Sequence, residues 1–302
     1  MVSVYSQQRL NNQKTWLLMT IFLCLVIAIS FVFAQLLGNS LILYFGVGFA
    51  LIMNIFSYWY SDKMVIAMTG AEPIERSDYP EPYRILENLS IAAGLAQTPK
   101  LYLLNSDAIN AFATGRNKKN AVVAVTSGAL RKLNDKELEG VFAHELSHVL
   151  NSDIKIMTIA TILAGVMAIL ANFFLNSLFW GGLGGRRRDN EGNNVIFLVI
   201  GLAVAILAPI FAQLMQLAIS RKREFLADTS GVLLTRYPQG LIGALEKIGN
   251  DENILKTPPA TAHLYISNPF RENKSFLGWM GNLFADHPPL DQRIKALRSV
   301  AV

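Results

Sequence analysis

Four long stretches without a charged residue constrain this chain more than any other feature. They are residues 16–37, 41–60, 156–180 and 195–212. About 20 apolar helical residues cross the roughly 30 Å hydrocarbon core of a bilayer. Three residues separate the first two stretches, so we expect a tight membrane hairpin that is retained as an anchor rather than cleaved as a signal peptide. The sequence thus predicts a mainly α membrane protein with four apolar helices in two hairpins.

Composition supports a molecule divided between lipid and water. Hydrophobic residues make up 52% of the 302 and charged residues 16%, against about 25% charged in a soluble domain. This balance excludes an ordinary soluble protein and a disordered chain. The single cysteine, Cys24, excludes an intrachain disulfide and a thiolate metal site. Although the net charge is +5, no nucleic-acid motif is present, so we expect no nucleic-acid partner.

The distribution of basic residues predicts the orientation. Of the 27 Lys and Arg residues, 24 lie in the N-terminal tail, in residues 61–155 and in residues 220–302. The positive-inside rule places these parts in the cytoplasm. The other three, Arg186 to Arg188, lie between the third and fourth stretches and oppose the rule locally. These three arginines fit the rule better if the second hairpin enters the membrane without crossing it. The sequence therefore leaves open whether the second hairpin crosses the bilayer completely.

The charged remainder of the chain predicts a water-exposed domain in two pieces. We expect a helix over residues 81–95 and a small, largely antiparallel sheet from the runs 100–104, 110–114 and 121–126. The predicted organisation is a membrane hairpin at 1–60, the first part of this domain at 61–153, a second hairpin at 154–219 and the second part of the domain at 220–302.

One helix of this domain carries a metal motif. Asn134 and Glu137 form a predicted capping box at its start, and the sequence His144-Glu145-Leu-Ser-His148 follows. Histidines four residues apart on a helix share a face and can bind one ion. Glu145 is then placed to take a proton from metal-bound water. The pattern predicts a single catalytic Zn²⁺ with His144 and His148 as ligands.

The third ligand is not determined by spacing. Asn151 and Ile154 occupy the positions where a metzincin has Gly and His, which excludes that subclass. Glu224 is the best candidate, because Asp228 lies one turn later and could accept the second N–H of a ligating imidazole. A solvated charge pattern explains the same spacing equally well. The other downstream candidates are His263, His287, Glu191, Glu246, Glu252 and Glu272.

Several motifs together resemble those of the HtpX family. They are the HExxH sequence followed by Asn151 and Asp153, Asn110-Ala-Phe-Ala-Thr-Gly115, Glu224-Phe-Leu-Ala-Asp228 and His287-Pro-Pro-Leu-Asp-Gln-Arg-Ile294. This family consists of membrane zinc metallopeptidases related to the type 1 CAAX prenyl proteases. The resemblance implies Glu224 as third zinc ligand, a cytosolic α+β zincin-like (gluzincin) domain and turnover of damaged membrane proteins. Asp286 departs from the family pattern, which has Thr before His-Pro-Pro, and this weakens any role assigned to His287.

The sequence also offers candidates for oxyanion stabilisation and substrate binding, and each has a purely structural alternative. His287 or Arg293 would stabilise the oxyanion of the reaction, but His287 also fits a turn, and Arg293 fits a pair with Asp228 or Asp291. Residues 110–114 would pair with an extended substrate as an edge strand, or be an ordinary strand. The substrate-binding candidates are Asn110, Ala111, Phe112 and Ala113.

These features predict a zinc metalloendopeptidase of the bacterial inner membrane. It would be a multi-pass protein with a cytoplasmic catalytic domain, Glu145 as general base and membrane proteins as its chief polypeptide substrates, working in the bilayer with quality-control partners. One alternative is a CAAX-type prenyl protein endopeptidase, which usually has more spans. A site-2 protease would have HExxH within a span. The third alternative is a non-catalytic, zinc-stabilised stress scaffold, which would not need Glu145.

Overall fold

The computed structural model describes residues 4–36, 38–182, 221–269 and 288–300, and they form a mostly helical protein with a small mixed sheet. The helices are α1 (Val4–Leu36), α2 (Leu41–Trp59), α3 (Ser61–Thr69), α4 (Pro80–Ala92), α5 (Ser127–Lys132), α6 (Asp135–Leu150), α7 (Asp153–Gly182), α8 (Arg221–Thr235), α9 (Pro238–Asn250) and α10 (Leu290–Arg298). The strands are β1 (Glu72–Pro73), β2 (Lys100–Leu104), β3 (Ala111–Thr114) and β4 (Val122–Thr126). Short 3₁₀ turns lie at Lys118–Asn120 and Pro259–Leu264.

Three of the described helices are long and apolar enough to cross a membrane. The candidate spans are Gln8–Gln35, Leu41–Trp59 and Asp153–Leu170. Large side chains of α2 such as Phe45 and Ile52 are exposed, as expected of a surface that faces lipid. The fourth predicted stretch, 195–212, and Arg186 to Arg188 lie outside the described residues.

Helix α1 extends well beyond the apolar stretch that begins at residue 16. It starts at Val4 and includes the polar turns that contain Gln8 and Asn11. Both of these side chains form hydrogen bonds with the end of α6 or the start of α7. The helix therefore continues beyond its apolar stretch, because its polar turns find partners at the junction of α6 and α7.

The sheet has the strand order β1-β2-β4-β3. The β1–β2 and β3–β4 pairings are antiparallel, as expected, whereas β2 and β4 pair in parallel. The sheet is therefore mixed, because β3 connects β2 to β4 without lying between them. Strand β3 lies at one side of the sheet.

Helix α6 lies in the core of the domain. Its predicted capping box is confirmed, with both hydrogen bonds between Asn134 and Glu137 present. Gly231 of α8 lies directly against it, since a Cβ at that position would be 3.0 Å from the backbone nitrogen of His144. The missing side chain lets α8 approach the metal-motif helix closely.

A two-residue turn joins α6 to α7, which contains the third candidate span. It consists of Asn151 and Ser152, and Ser152 has a left-handed φ of 59°, which is uncommon for a residue other than glycine. Helix α7 then begins at Asp153. The metal-motif helix is thereby held immediately beside a candidate membrane span.

Candidate metal centre

Three buried side chains from two helices converge on one point. His144 and His148 project from α6, and Glu224 projects from the first turn of α8. The Nε2 atoms of the two histidines are 3.3 Å apart. Oε2 of Glu224 is 3.7 Å from Nε2 of His144, and Oε1 is 3.5 Å from Nε2 of His148.

These separations fit a tetrahedral zinc site. Ligand atoms about 2.0–2.1 Å from Zn²⁺ lie roughly 3.3 Å from one another in tetrahedral geometry. Two imidazole nitrogens and one carboxylate oxygen are the donor set of a catalytic zinc, which leaves the fourth position for water. Facing nitrogens 3.3 Å apart also favour a cation between them, because two lone pairs repel each other. His144, His148 and Glu224 would therefore hold the ion.

A buried ion pair orients His144. Its Nδ1 is 2.9 Å from Oδ1 of Asp228, and Arg293 donates two hydrogen bonds to the same carboxylate, at 2.8 and 2.6 Å. Burial alone would raise the pKa of Asp228, but Arg293 and His144 outweigh it and lower the pKa to about 2. Burial lowers the pKa of His144 to about 4. A charged Asp228 thus accepts the Nδ1 proton and leaves Nε2 of His144 for the metal.

A second carboxylate orients His148. Oδ2 of Asp153 is 3.1 Å from Nδ1 of His148. Burial lowers the pKa of His148, but the hydrogen bond with Asp153 and the negative charges of Glu224 and Asp153 raise the pKa to about 9. The pocket around this imidazole consequently favours positive charge, which a bound cation would also supply.

Glu145 is the remaining carboxylate of the site. It is fully buried, and its Oε1 has no hydrogen-bond partner among the described residues. Burial is the main cause that raises the pKa of Glu145 to about 7. A buried acid with a pKa near neutrality suits general acid–base catalysis.

The predicted substrate strand lies beside the site, but its outer side is partly covered. The backbone of Ala113 interacts with the Glu145 carboxylate. The carbonyl of Ala111 accepts a hydrogen bond from Ile266, and Phe112 forms an antiparallel bridge with Tyr265. The Asn110 side chain donates to the carbonyl of Ser267. An extended substrate would have to pair beyond these contacts or displace them.

Other candidates are placed elsewhere or outside the described residues. His263 is buried against α7, with Nε2 3.1 Å from the hydroxyl of Thr161, and it is not part of the metal cluster. His287 lies outside the described residues. Arg293 pairs with Asp228 rather than Asp291. The alternative interpretation of residues 221–228 as a solvated charge pattern is wrong, because Glu224 and Asp228 are both buried.

Three residues of the site were not among the predicted ones. Asp153, Arg223 and Asn11 form a buried polar cluster next to His148. Asp153 lies five residues after His148, so its position after the motif was a usable signal. Asn11 is more than 130 residues away in sequence, and no local pattern indicates its partner.

The buried His–His–Glu donor set, the adjacent Glu145 and the apolar helices define a membrane-associated metallopeptidase. The model of "Peptidase family M48" matches residues 80–301. The chain belongs to this family, and it is an HtpX-type metallopeptidase.

Relatives named "Protease HtpX homolog" match almost the whole chain. One from Thermococcus sibiricus is 45% identical over 291 residues, 95% of each chain. One from Caldanaerobacter subterraneus is 40% identical over 304 residues, 99% of each. One from Syntrophobacter fumaroxidans is 47% identical over 256 residues, 83% of this chain and 87% of that one. The protein is accordingly a protease that acts on polypeptides.

Proposed function

We propose that this protein is a zinc metalloendopeptidase, with one Zn²⁺ per chain, that hydrolyses peptide bonds of damaged or misfolded membrane proteins at the cytoplasmic surface of a bacterial inner membrane. One observation carries the proposal. Three buried ligand atoms converge at tetrahedral spacing, and Glu145, the residue after His144, has a buried carboxylate oxygen with no hydrogen-bond partner in the described part of the chain.

The chain's own residues supply the acid–base chemistry and the orientation. Zinc, when bound, lowers the pKa of its water and polarises the substrate carbonyl. Glu145 accepts the proton of the attacking water and delivers it to the leaving amine, for which a pKa of about 7 is well suited. Asp228 and Asp153 hold the two imidazoles with their Nδ1 protons directed away from the metal position.

The position of the site supports membrane-protein substrates. Helix α6 ends two residues before the membrane helix α7. Two aromatic residues at the end of α2 meet basic residues: Arg116, between β3 and β4, lies over Trp59 at 4.8 Å, and Lys155, at the start of α7, lies over Tyr58 at 5.1 Å. Trp and Tyr are enriched at membrane interfaces, and basic residues at the cytoplasmic one. This arrangement would keep the catalytic centre close to polypeptide that leaves the bilayer.

The test uses the purified full chain in proteoliposomes with an unfolded membrane protein. We expect Glu145→Gln to bind zinc as the wild type does and to lose all substrate cleavage and self-cleavage. Glu139→Gln, which changes a partly exposed residue of the same helix that pairs with Lys136, is the matched control and should stay active.

Three results would contradict the proposal. Residual proteolysis by Glu145→Gln would exclude Glu145 as the general base. Cleavage confined to prenylated C-terminal peptides would instead identify a CAAX-type endopeptidase. Zinc binding by the wild type with no cleavage of any peptide would support the zinc-stabilised scaffold.

A further inference from the structure

One polar side chain of the first membrane helix is buried beside the metal centre. Asn11 of α1 is 2% exposed, whereas its neighbour Asn12 is exposed. The Asn11 amide nitrogen is 2.7 Å from Oδ1 of Asp153 and 3.3 Å from the carbonyl oxygen of Asn151. One turn earlier, Gln8 donates to the carbonyl of Leu150 at 3.0 Å. The polar start of α1 thus binds the turn that follows the HExxH helix.

Asn11 is connected through Asp153 to the predicted metal ligand His148. Asp153 accepts from Asn11 with Oδ1 and lies 3.1 Å from Nδ1 of His148 with Oδ2. Both oxygens of this fully buried carboxylate are therefore directed by named partners. The orientation of the His148 ring depends on Asp153, and that of Asp153 depends on Asn11.

Asn11 also reaches the second helix that carries a ligand. Its Oδ1 is 3.5 Å from Nη1 of Arg223, the residue before Glu224. Arg223 is buried and lies 3.7 Å from Asp153. One amide of α1 consequently contacts the segment after His148 and the residue next to Glu224, so it connects the two helices that supply ligands.

We propose that Asn11 is a positioning residue of the metal centre, through which the first helix of the membrane anchor orients His148 by way of Asp153. The inference rests on the proposed function, because it takes the site to bind zinc. Partners of ligating histidines typically change metal affinity by 10–100-fold when they are removed. Asn11 acts one step further out, so we expect a loss at the lower end of that range.

The experiment measures zinc binding rather than activity. Full-length protein in detergent is titrated with Zn²⁺ against a chromogenic chelator, and the d–d absorption spectrum is recorded with Co²⁺ as a probe. Asn11→Leu keeps a similar volume and removes the amide; we expect about a 10-fold weaker zinc Kd and a changed Co²⁺ spectrum. Asn12→Leu is the matched control, because Asn12 is exposed and accepts a hydrogen bond from the Lys155 side chain rather than from the buried cluster. We expect both readouts to be those of the wild type.

A double-mutant cycle tests the route through Asp153. In an Asp153→Asn background, Asn11→Leu should change the zinc Kd by less than about twofold, because the orienting carboxylate is already lost. Independent, additive losses would overturn the proposal, as would a wild-type Kd and Co²⁺ spectrum for Asn11→Leu. If Asn11→Leu does not fold, Asn11→Ala replaces it with the same expected direction. A failure of the proposed zinc site itself can be told apart from a failure of this inference. If the site does not bind zinc, His148→Ala will leave zinc binding unchanged.

Discussion

At the scale of single residues, the site is built from buried charges that compensate one another. Asp228 is charged because Arg293 binds it with two hydrogen bonds, and Arg293 is itself fully buried and also donates to the carbonyl of Ile266. Removing one member of a buried pair is costly, since the other charge is left without compensation.

Arg293 and Arg298 offer a matched comparison on α10. Arg293→Met should lower the free energy of unfolding by about 3–5 kcal/mol, because Asp228 then loses its buried partner. Arg298→Met breaks an exposed pair with Glu246 and should change it by about 1 kcal/mol or less. Thermal unfolding in detergent measures both. Equal decreases in the melting temperature of the two variants would show that Arg293 does not stabilise the fold as a buried charge.

At the scale of elements, the site depends on how closely α8 approaches α6. Gly231 permits this approach, because a Cβ there would be 3.0 to 3.2 Å from backbone atoms of Ala143 and His144. Backbone cannot move aside as a flexible side chain does. The distance between the two ligand-bearing helices is therefore determined in part by a residue without a side chain.

The glycine prediction has its own control. Gly231→Ala should destabilise the protein by about 1–3 kcal/mol through overpacking and weaken zinc binding, because α8 carries Glu224. Gly249→Ala on α9 would place its Cβ 3.5 Å from Leu290, an ordinary contact, and should be neutral or slightly stabilising. Zinc titration and thermal unfolding measure both effects. Tighter or unchanged zinc binding in Gly231→Ala would contradict this account of the packing.

At the scale of the whole molecule, the metal would connect parts that are distant in the chain. His144 and His148 precede α7 in the chain and Glu224 comes after it, yet the Glu224 carboxylate lies within 4 Å of both imidazoles. A ligand that binds only the folded state stabilises it in proportion to the logarithm of its concentration.

Removal of zinc should therefore lower the melting temperature. At a free concentration 100 times the Kd, zinc contributes about 2.7 kcal/mol, which corresponds to roughly 5–11 °C for a domain of this size. EDTA should cause this fall in the wild type and none in His148→Ala. An identical fall in both proteins would mean that EDTA acts elsewhere.

The sequence by itself determined the membrane character, the first two apolar helices, the capped HExxH helix and the class of chemistry. These features depend on local patterns: runs without charge, a capping box whose two partners are three positions apart, and two histidines one turn apart. The parallel pairing of β2 and β4, the cover on β3 by Tyr265 and Ile266, and the roles of Arg223 and Asn11 were decided only by the tertiary structure. They depend on contacts between residues far apart in the chain, and a buried polar residue such as Asn11 is identical in sequence terms to its exposed neighbour Asn12 until its partners are in place.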